Sequence, residues 1–130
     1  EDGKDNGLLQ AWEIFERLRV DADLVVLSAC RSGLGSEMGG EGLIGLTRAF
    51  QYAGARSVVA SLWEVSDPAT ADLMVRFYRR LRRGHPVDEA LRAAQLDLIR
   101  SHPSRHGETG GVDPASPFVW AAFQLFGDGR

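Results

Sequence analysis

Residues 22–33 read ADLVVLSACRSG, and this stretch limits what the rest of the chain can become. Four consecutive apolar residues, Leu24 to Leu27, are followed by the small Ser28 and Ala29 and then by Cys30. An unbroken apolar run of this kind predicts a strand over 24–29 covered on both faces, as in a parallel sheet flanked by helices. A strand with one wet face would alternate instead. After Cys30 the chain breaks into a glycine-rich loop, RSGLGSEMGG. A buried strand that carries a thiol to its carboxyl end and then turns sharply suits a cysteine nucleophile.

The remaining elements fit that sheet. Asn6-Gly7 is a turn dipeptide. Residues 8–18 have helical period, with Leu8, Trp12, Phe15 and Leu18 on one face. A second helix over 41–53 aligns Leu43, Leu46, Phe50 and Ala53 and stops at Gly54. Residues 57–62, SVVASL, form a second buried strand. Asp67-Pro68 pairs a capping residue with a proline at the first helical position. The helix it opens runs to about Arg83 and buries Leu73, Met74, Phe77 and Leu81. Gly84 ends that helix. Pro86 opens another to Ser101, burying Leu91, Ala94 and Leu98. Residues 101–117 read as a long surface loop and 120–126 as a last strand. Helices alternating with buried strands predict an α/β sandwich with a largely parallel sheet. Ligands of such sheets sit beyond the carboxyl ends of the strands. Cys30 and Trp63-Glu64 both follow strands and so fall on that edge.

Composition narrows the function classes. A single cysteine makes no internal disulfide and builds no zinc site alone, so a reducing, cytoplasmic compartment is expected. The formal net charge of −3 argues against a general nucleic-acid binder. No apolar run approaches the roughly 20 residues of a membrane span. Gly33, Gly35, Gly39, Gly40 and Gly42 match neither phosphate-binding glycine pattern, so that loop reads as part of an active site and no cofactor or metal is expected. Arg76, Arg79, Arg80 and Arg83 fall at i, i+3, i+4 and i+7. They read as a solvated helix face, with contact to an acidic partner or to nucleic acid as the alternative.

Ser28-Ala29-Cys30-Arg31-Ser32-Gly33 is close to the Gln-Ala-Cys-Arg/Gln/Gly-Gly signature of caspases, with Ser for Gln and one residue inserted before the glycine. The surroundings extend the match. GLLQAWEI (7–14), ADLVVLSACRSG (22–33), GGEGLIGLTRAFQYAGARSVVASLWEVSD (39–67), the 69–78 helix, EALRAAQ (89–95) and SPFVWAAFQLFG (116–127) come in order and with the spacing of one family. The chain resembles the CHAT family, caspase-like domains commonly found after tetratricopeptide repeats.

The resemblance implies a caspase-like three-layer α/β sandwich and a Cys-His dyad that hydrolyses peptide bonds in a protein or peptide substrate. Cys30 matches the nucleophile, and its backbone N–H the position of one oxyanion donor. The family's base is a histidine in an upstream His-Gly pair. In caspases it lies about 50 residues before the cysteine. Only 29 residues precede Cys30, and none is histidine. The expectation is therefore a partial CHAT domain over residues 1–130, its C-terminal portion, within a bacterial polypeptide that holds the rest of the domain and tetratricopeptide repeats. Such a portion leaves a sheet edge and an apolar face uncovered, which predicts self-association or an accompanying N-terminal segment. Ser28, Trp63, Glu64 and Asp67 are the candidate substrate contacts. A carboxylate in the corresponding caspase-like pocket favours a basic residue before the cut bond.

Each feature has a plainer reading. Cys30 can be a buried structural thiol, Asp67 a helix cap and Trp63 core. His85, His102 and His106 match no family position and read as solvated. Two further function classes stay open: a CHAT-like scaffold or regulatory binding module without catalysis, and an unrelated flavodoxin-like binding domain.

Overall fold

The computed structural model describes residues 11–28, 40–63, 67–102 and 115–130. In chain order they form α1 (Ala11–Arg17), β1 (Leu24–Leu27), α2 (Gly40–Tyr52), β2 (Ser57–Ser61), α3 (Asp67–Leu81), α4 (Val87–Ser101), α5 (Pro117–Trp120) and β3 (Phe123–Gly127). The fold is α/β, as the alternation of elements predicts.

The sheet has the order β1-β2-β3 and is mixed. β1 and β2 are parallel, with Leu24 opposite Ser57 and Leu27 opposite Ala60. β3 runs antiparallel to β2, with Ser57 opposite Gly127 and Ser61 opposite Phe123. The path of the connecting helices explains the difference. One helix, α2, crosses from the end of β1 back to the start of β2, which gives a parallel pair. Among the described residues three helices separate β2 from β3: α3, α4 and the single turn of α5, of which α3 and α4 are the long ones. The long pair forms an antiparallel hairpin about Gly84, whose φ is +85°. The contacts of Arg76 with Ser101 and of Arg80 with Asp97 show the opposed directions. The chain therefore returns to the end of the sheet it left, and β3 runs backwards.

β2 is fully buried along its length, while β1 is half-buried throughout. The pleat sends alternate residues to opposite faces. Val26, Val59 and Leu125, in register across the strands, face the main core with Leu73, Phe77, Leu91, Ala94 and Leu98 of α3 and α4. These five helix residues include most of the predicted stripes, and Met74 and Leu81 pack at the margin of the same cluster. Val58 and Ala60 point the other way and are also fully buried. α2 packs against β2 and supplies cover for that face.

α1 buries a different stripe from the one expected. Ile14, with Ala11 and Leu18, packs against Ala49 of α2 and Ala53 just past its end. Trp12 and Phe15 are 48 % and 41 % exposed. The two large aromatics lie at the rim of the contact with α2, and Ile14 is the fully buried residue of α1. Phe15 instead meets Tyr52 with ring centroids 5.2 Å apart, and the Arg17 guanidinium lies 5.4 Å from the Trp12 ring centroid. α2 ends at a close crossing, where the Val20 N–H donates to the Ala53 carbonyl at 2.7 Å. Gly54, at φ +119°, turns the chain there, and a side chain would strike the Val20 carbonyl oxygen.

Candidate functional site

The parallel pairing of β1 and β2 brings their carboxyl ends to one edge. Neighbouring strands lie about 4.8 Å apart, so the chain leaving β1 at Ser28 emerges beside the chain leaving β2 toward Trp63. Ser28 is exposed. Cys30, two positions further along the sequence, lies outside the described residues. Glu64 lies outside them too. Asp67 opens α3, and its side chain is not among those described. Of the five candidate residues, the structure thus brings Ser28 and Trp63 to one edge.

Trp63 is anchored there by a residue that the sequence pattern did not single out. Its indole N–H donates to the Phe118 carbonyl at 2.6 Å. The two rings stack with centroids 5.9 Å apart and planes 27° from parallel. Both remain open to solvent, Trp63 at 36 % and Phe118 at 51 %. They form an aromatic wall where β2 ends and the chain turns into β3. Trp63 is thus neither core nor a loose surface ring.

Phe118 reaches this edge because α5 sits at the turn into β3. Ser116 caps α5, its hydroxyl accepting the Phe118 N–H at 3.3 Å, with Pro117 in the first turn. Ser-Pro here repeats the Asp67-Pro68 start signal, and a helix was readable at 116–117 on the same rule. Gln95 of α4 donates to the carbonyls of Trp120 and Phe123, at 2.8 and 3.1 Å, and so fixes the exit from α5. The Leu62 N–H donates to the Ala122 carbonyl at 2.7 Å, closing the end of the ladder.

The histidines differ in place. His85 is exposed in the turn after α3. That turn lies near the opposite edge of the sheet: the Asp88 N–H, three residues on, donates to the carbonyl of Gly129, just past the far end of β3. The His102 Nδ1 lies 3.3 Å from the Leu98 carbonyl of its own helix. Its neighbour Ser101 is level with Arg76, nine residues into α3 and so about 13 Å of helix rise from Asp67. His106 lies outside the described residues.

The arginine stripe is only partly a solvated face. Arg76 donates to Asp72 at 2.8 Å and to Ser101 at 3.1 Å, and Arg80 pairs with Asp97 across the hairpin. The Asp72 hydrogen bond, helped by the charges of Asp72 and Asp97, raises the Arg76 pKa further against the opposing effect of partial burial. Arg79 and Arg83 are exposed.

Fold and edge together define an α/β domain whose candidate reactive and substrate-contacting positions follow two adjacent parallel strands. The CHAT domain description matches residues 1–128, and the chain belongs to this caspase-like, protease-related family. Two curated relatives are similar over most of the chain. Tetratricopeptide repeat protein 28 of Mus musculus is 34 % identical over 124 residues, 92 % of this chain. The Homo sapiens protein of the same name is 33 % identical over the same share. The chain spans 4 % of the length of either relative. Both are mammalian, which points away from the bacterial source expected from the resemblance. No solved structure matches the chain.

Proposed function

We propose that the chain is the thiol-bearing portion of a cysteine endopeptidase, lying in one polypeptide with tetratricopeptide repeats and working in a reducing, cytoplasmic compartment. The Cys30 thiolate attacks the carbonyl carbon of a peptide bond. A C–S bond forms, the C–N bond breaks, and a histidine from outside these 130 residues delivers the proton to the leaving amine. Water then hydrolyses the thioester and regenerates the thiol. The Cys30 N–H serves the oxyanion, and Ser28, Trp63, Glu64 and Asp67 contact the substrate.

The observation that supports this reading is the shared edge. Ser28 and Trp63 follow neighbouring parallel strands, and Phe118 holds Trp63 open to solvent there. The test is labelling of the full-length polypeptide by a thiol-reactive peptide probe. Labelling abolished by Cys30→Ala is expected, with no peptide turnover by the 130-residue chain alone. Labelling of the full-length protein that survives Cys30→Ala would overturn the nucleophile. Turnover by the isolated chain, lost in Cys30→Ala, would overturn the external base.

A second reading is a CHAT domain that binds proteins without cutting them. The residue at the end of the preceding strand of the full-length sequence separates the two. A His-Gly pair there favours the peptidase, and any other residue the binding module.

A further inference from the structure

α3 presents three faces. Ala69, Leu73 and Phe77 enter the core, and Asp72, Arg76 and Arg80 turn toward α4. The third face carries Ala71, Val75, Tyr78, Arg79 and Arg82 at helical spacing, and all five are exposed. Val75 is 53 % exposed and Tyr78 44 %. The Tyr78 ring is held against Phe77, with centroids 5.4 Å apart. The face is therefore divided along its length, apolar toward the start of α3 and cationic toward its end, where Arg83 joins Arg79 and Arg82.

The charges on the two long faces differ in kind. Arg76 and Arg80 are neutralised by Asp72 and Asp97. Arg79, Arg82 and Arg83 form no ion pair among the described residues. They lie on a chain whose net charge is −3, so this is a local cationic patch on an acidic protein. A face that pairs an aliphatic and aromatic stripe with unpaired guanidiniums complements an amphipathic helix with apolar anchors and a cluster of carboxylates at one end. Nucleic acid is a poorer match. A phosphate backbone calls for positive charge along the whole face, and here the part of the face toward the start of α3 offers Ala71 and Val75.

We propose that the exposed face of α3 docks an acidic amphipathic helix of a partner protein, its apolar residues on Val75 and Tyr78 and its carboxylates on Arg79, Arg82 and Arg83. This site is separate from the sheet edge and does not depend on the peptidase reading.

The test uses the isotope-labelled 130-residue chain and a synthetic helical peptide with leucines at i, i+3, i+4 and i+7 and glutamates in its last turns. Amide shifts confined to residues 71–83 are expected. The Arg79→Glu/Arg82→Glu/Arg83→Glu variant should weaken binding about tenfold or more, since three surface ion pairs are removed and reversed. Val75→Glu should weaken it as well. Both variants should keep the parent circular-dichroism spectrum and melting temperature. A peptide with lysine in place of glutamate should prefer the charge-reversed variant. The proposal is overturned by no binding at about millimolar peptide, by affinity unchanged on charge reversal, or by shifts that fall mainly outside residues 71–83. A DNA duplex that binds as tightly as the peptide and ignores Val75→Glu would also overturn it and assign the patch to nucleic acid.

Discussion

Trp63 donates its indole N–H to the carbonyl of Phe118 across 55 residues of sequence, and the two rings stack at 5.9 Å. This pair links the end of β2 to α5. It exists because the α3–α4 hairpin returns the chain to the edge where β2 ended. The sheet's antiparallel strand and the aromatic wall of the candidate site thus have one cause.

Substitutions at Trp63 should separate the hydrogen bond from the stack. Trp63→Phe keeps a ring but loses the donor, an expected loss of about 1 kcal/mol. Trp63→Ala also removes the aromatic pair, a further ~0.5–1.5 kcal/mol. Phe118→Ala removes the stack while leaving its carbonyl in place, and should resemble the second increment alone. Urea midpoints of the three variants measure this. Equal losses for Trp63→Phe and Trp63→Ala would show that the stack contributes nothing.

The α3–α4 hairpin should owe its stability to its apolar seam and little to its ion pairs. Phe77 and Leu98 are fully buried, and Phe77→Ala or Leu98→Ala should lower unfolding free energy by roughly 2–5 kcal/mol. Arg80 and Asp97 retain 28 % and 34 % of their side-chain exposure, so Arg80→Ala should lower it by less than about 1 kcal/mol. Denaturant unfolding that ranks Arg80→Ala with the core variants would contradict this order.

How much the sequence tells depends on whether a local pattern decides the outcome. α3 and α4 carry long, uninterrupted 3.6-residue stripes, and their cores fall where the stripes put them. β1 and β2 are readable as unbroken apolar runs. The direction of β3 is not in its own residues. It follows from the α3–α4 hairpin that returns the chain to the end of β2, a topological fact the strand pattern cannot carry. α1 has apolar residues on more than one face, so period alone does not choose Ile14 over Trp12 and Phe15. At the site, Trp63 is readable from its place after a buried strand. Phe118 is not, because its role depends on a contact 55 residues away. The Ser116-Pro117 start signal marks α5, and it is hidden among the prolines and glycines of the preceding stretch.

The turn after α2 should tolerate no side chain. Gly54 combines φ +119° with a backbone oxygen where a methyl group would lie. Gly84 has φ +85° but open space around it. Gly84→Ala should then cost about 1–2 kcal/mol from the left-handed backbone alone. Gly54→Ala should cost more, because the α1–α2 connection at Val20 must also move. Thermal unfolding of the two variants side by side gives the ranking, and a milder effect at Gly54 would refute the steric argument.

The 130-residue chain by itself should self-associate through the α1–α2 face. Trp12, Phe15 and Tyr52 are exposed together there, Tyr52 at 75 %. Clustered exposed aromatics of this kind drive association. Phe15→Glu with Tyr52→Glu should shift sedimentation toward monomer, at a stability cost of about 0.5–1.5 kcal/mol from the lost ring pair. A clean monomer from the unaltered chain would count against the idea.

The intact polypeptide should prefer a basic residue before the cut bond. Glu64 follows Trp63 directly, and Asp67 opens α3 three residues later, so two carboxylate residues follow β2 closely in sequence. A carboxylate in a half-dry pocket discriminates by pairing with a cationic side chain and by repelling an acidic one. Glu64→Gln and Asp67→Asn should each be compared on full-length protein with paired peptides carrying arginine or its neutral isostere citrulline. If one carboxylate reads the substrate, its neutralisation lowers kcat/KM for the arginine peptide by about tenfold or more, in line with a charge-assisted hydrogen bond of about 1.5–3 kcal/mol. The citrulline peptide should change little. Equal losses on both peptides would assign the residue a structural part, Asp67 as the start of α3 above all, and would leave the preference for basic residues without support.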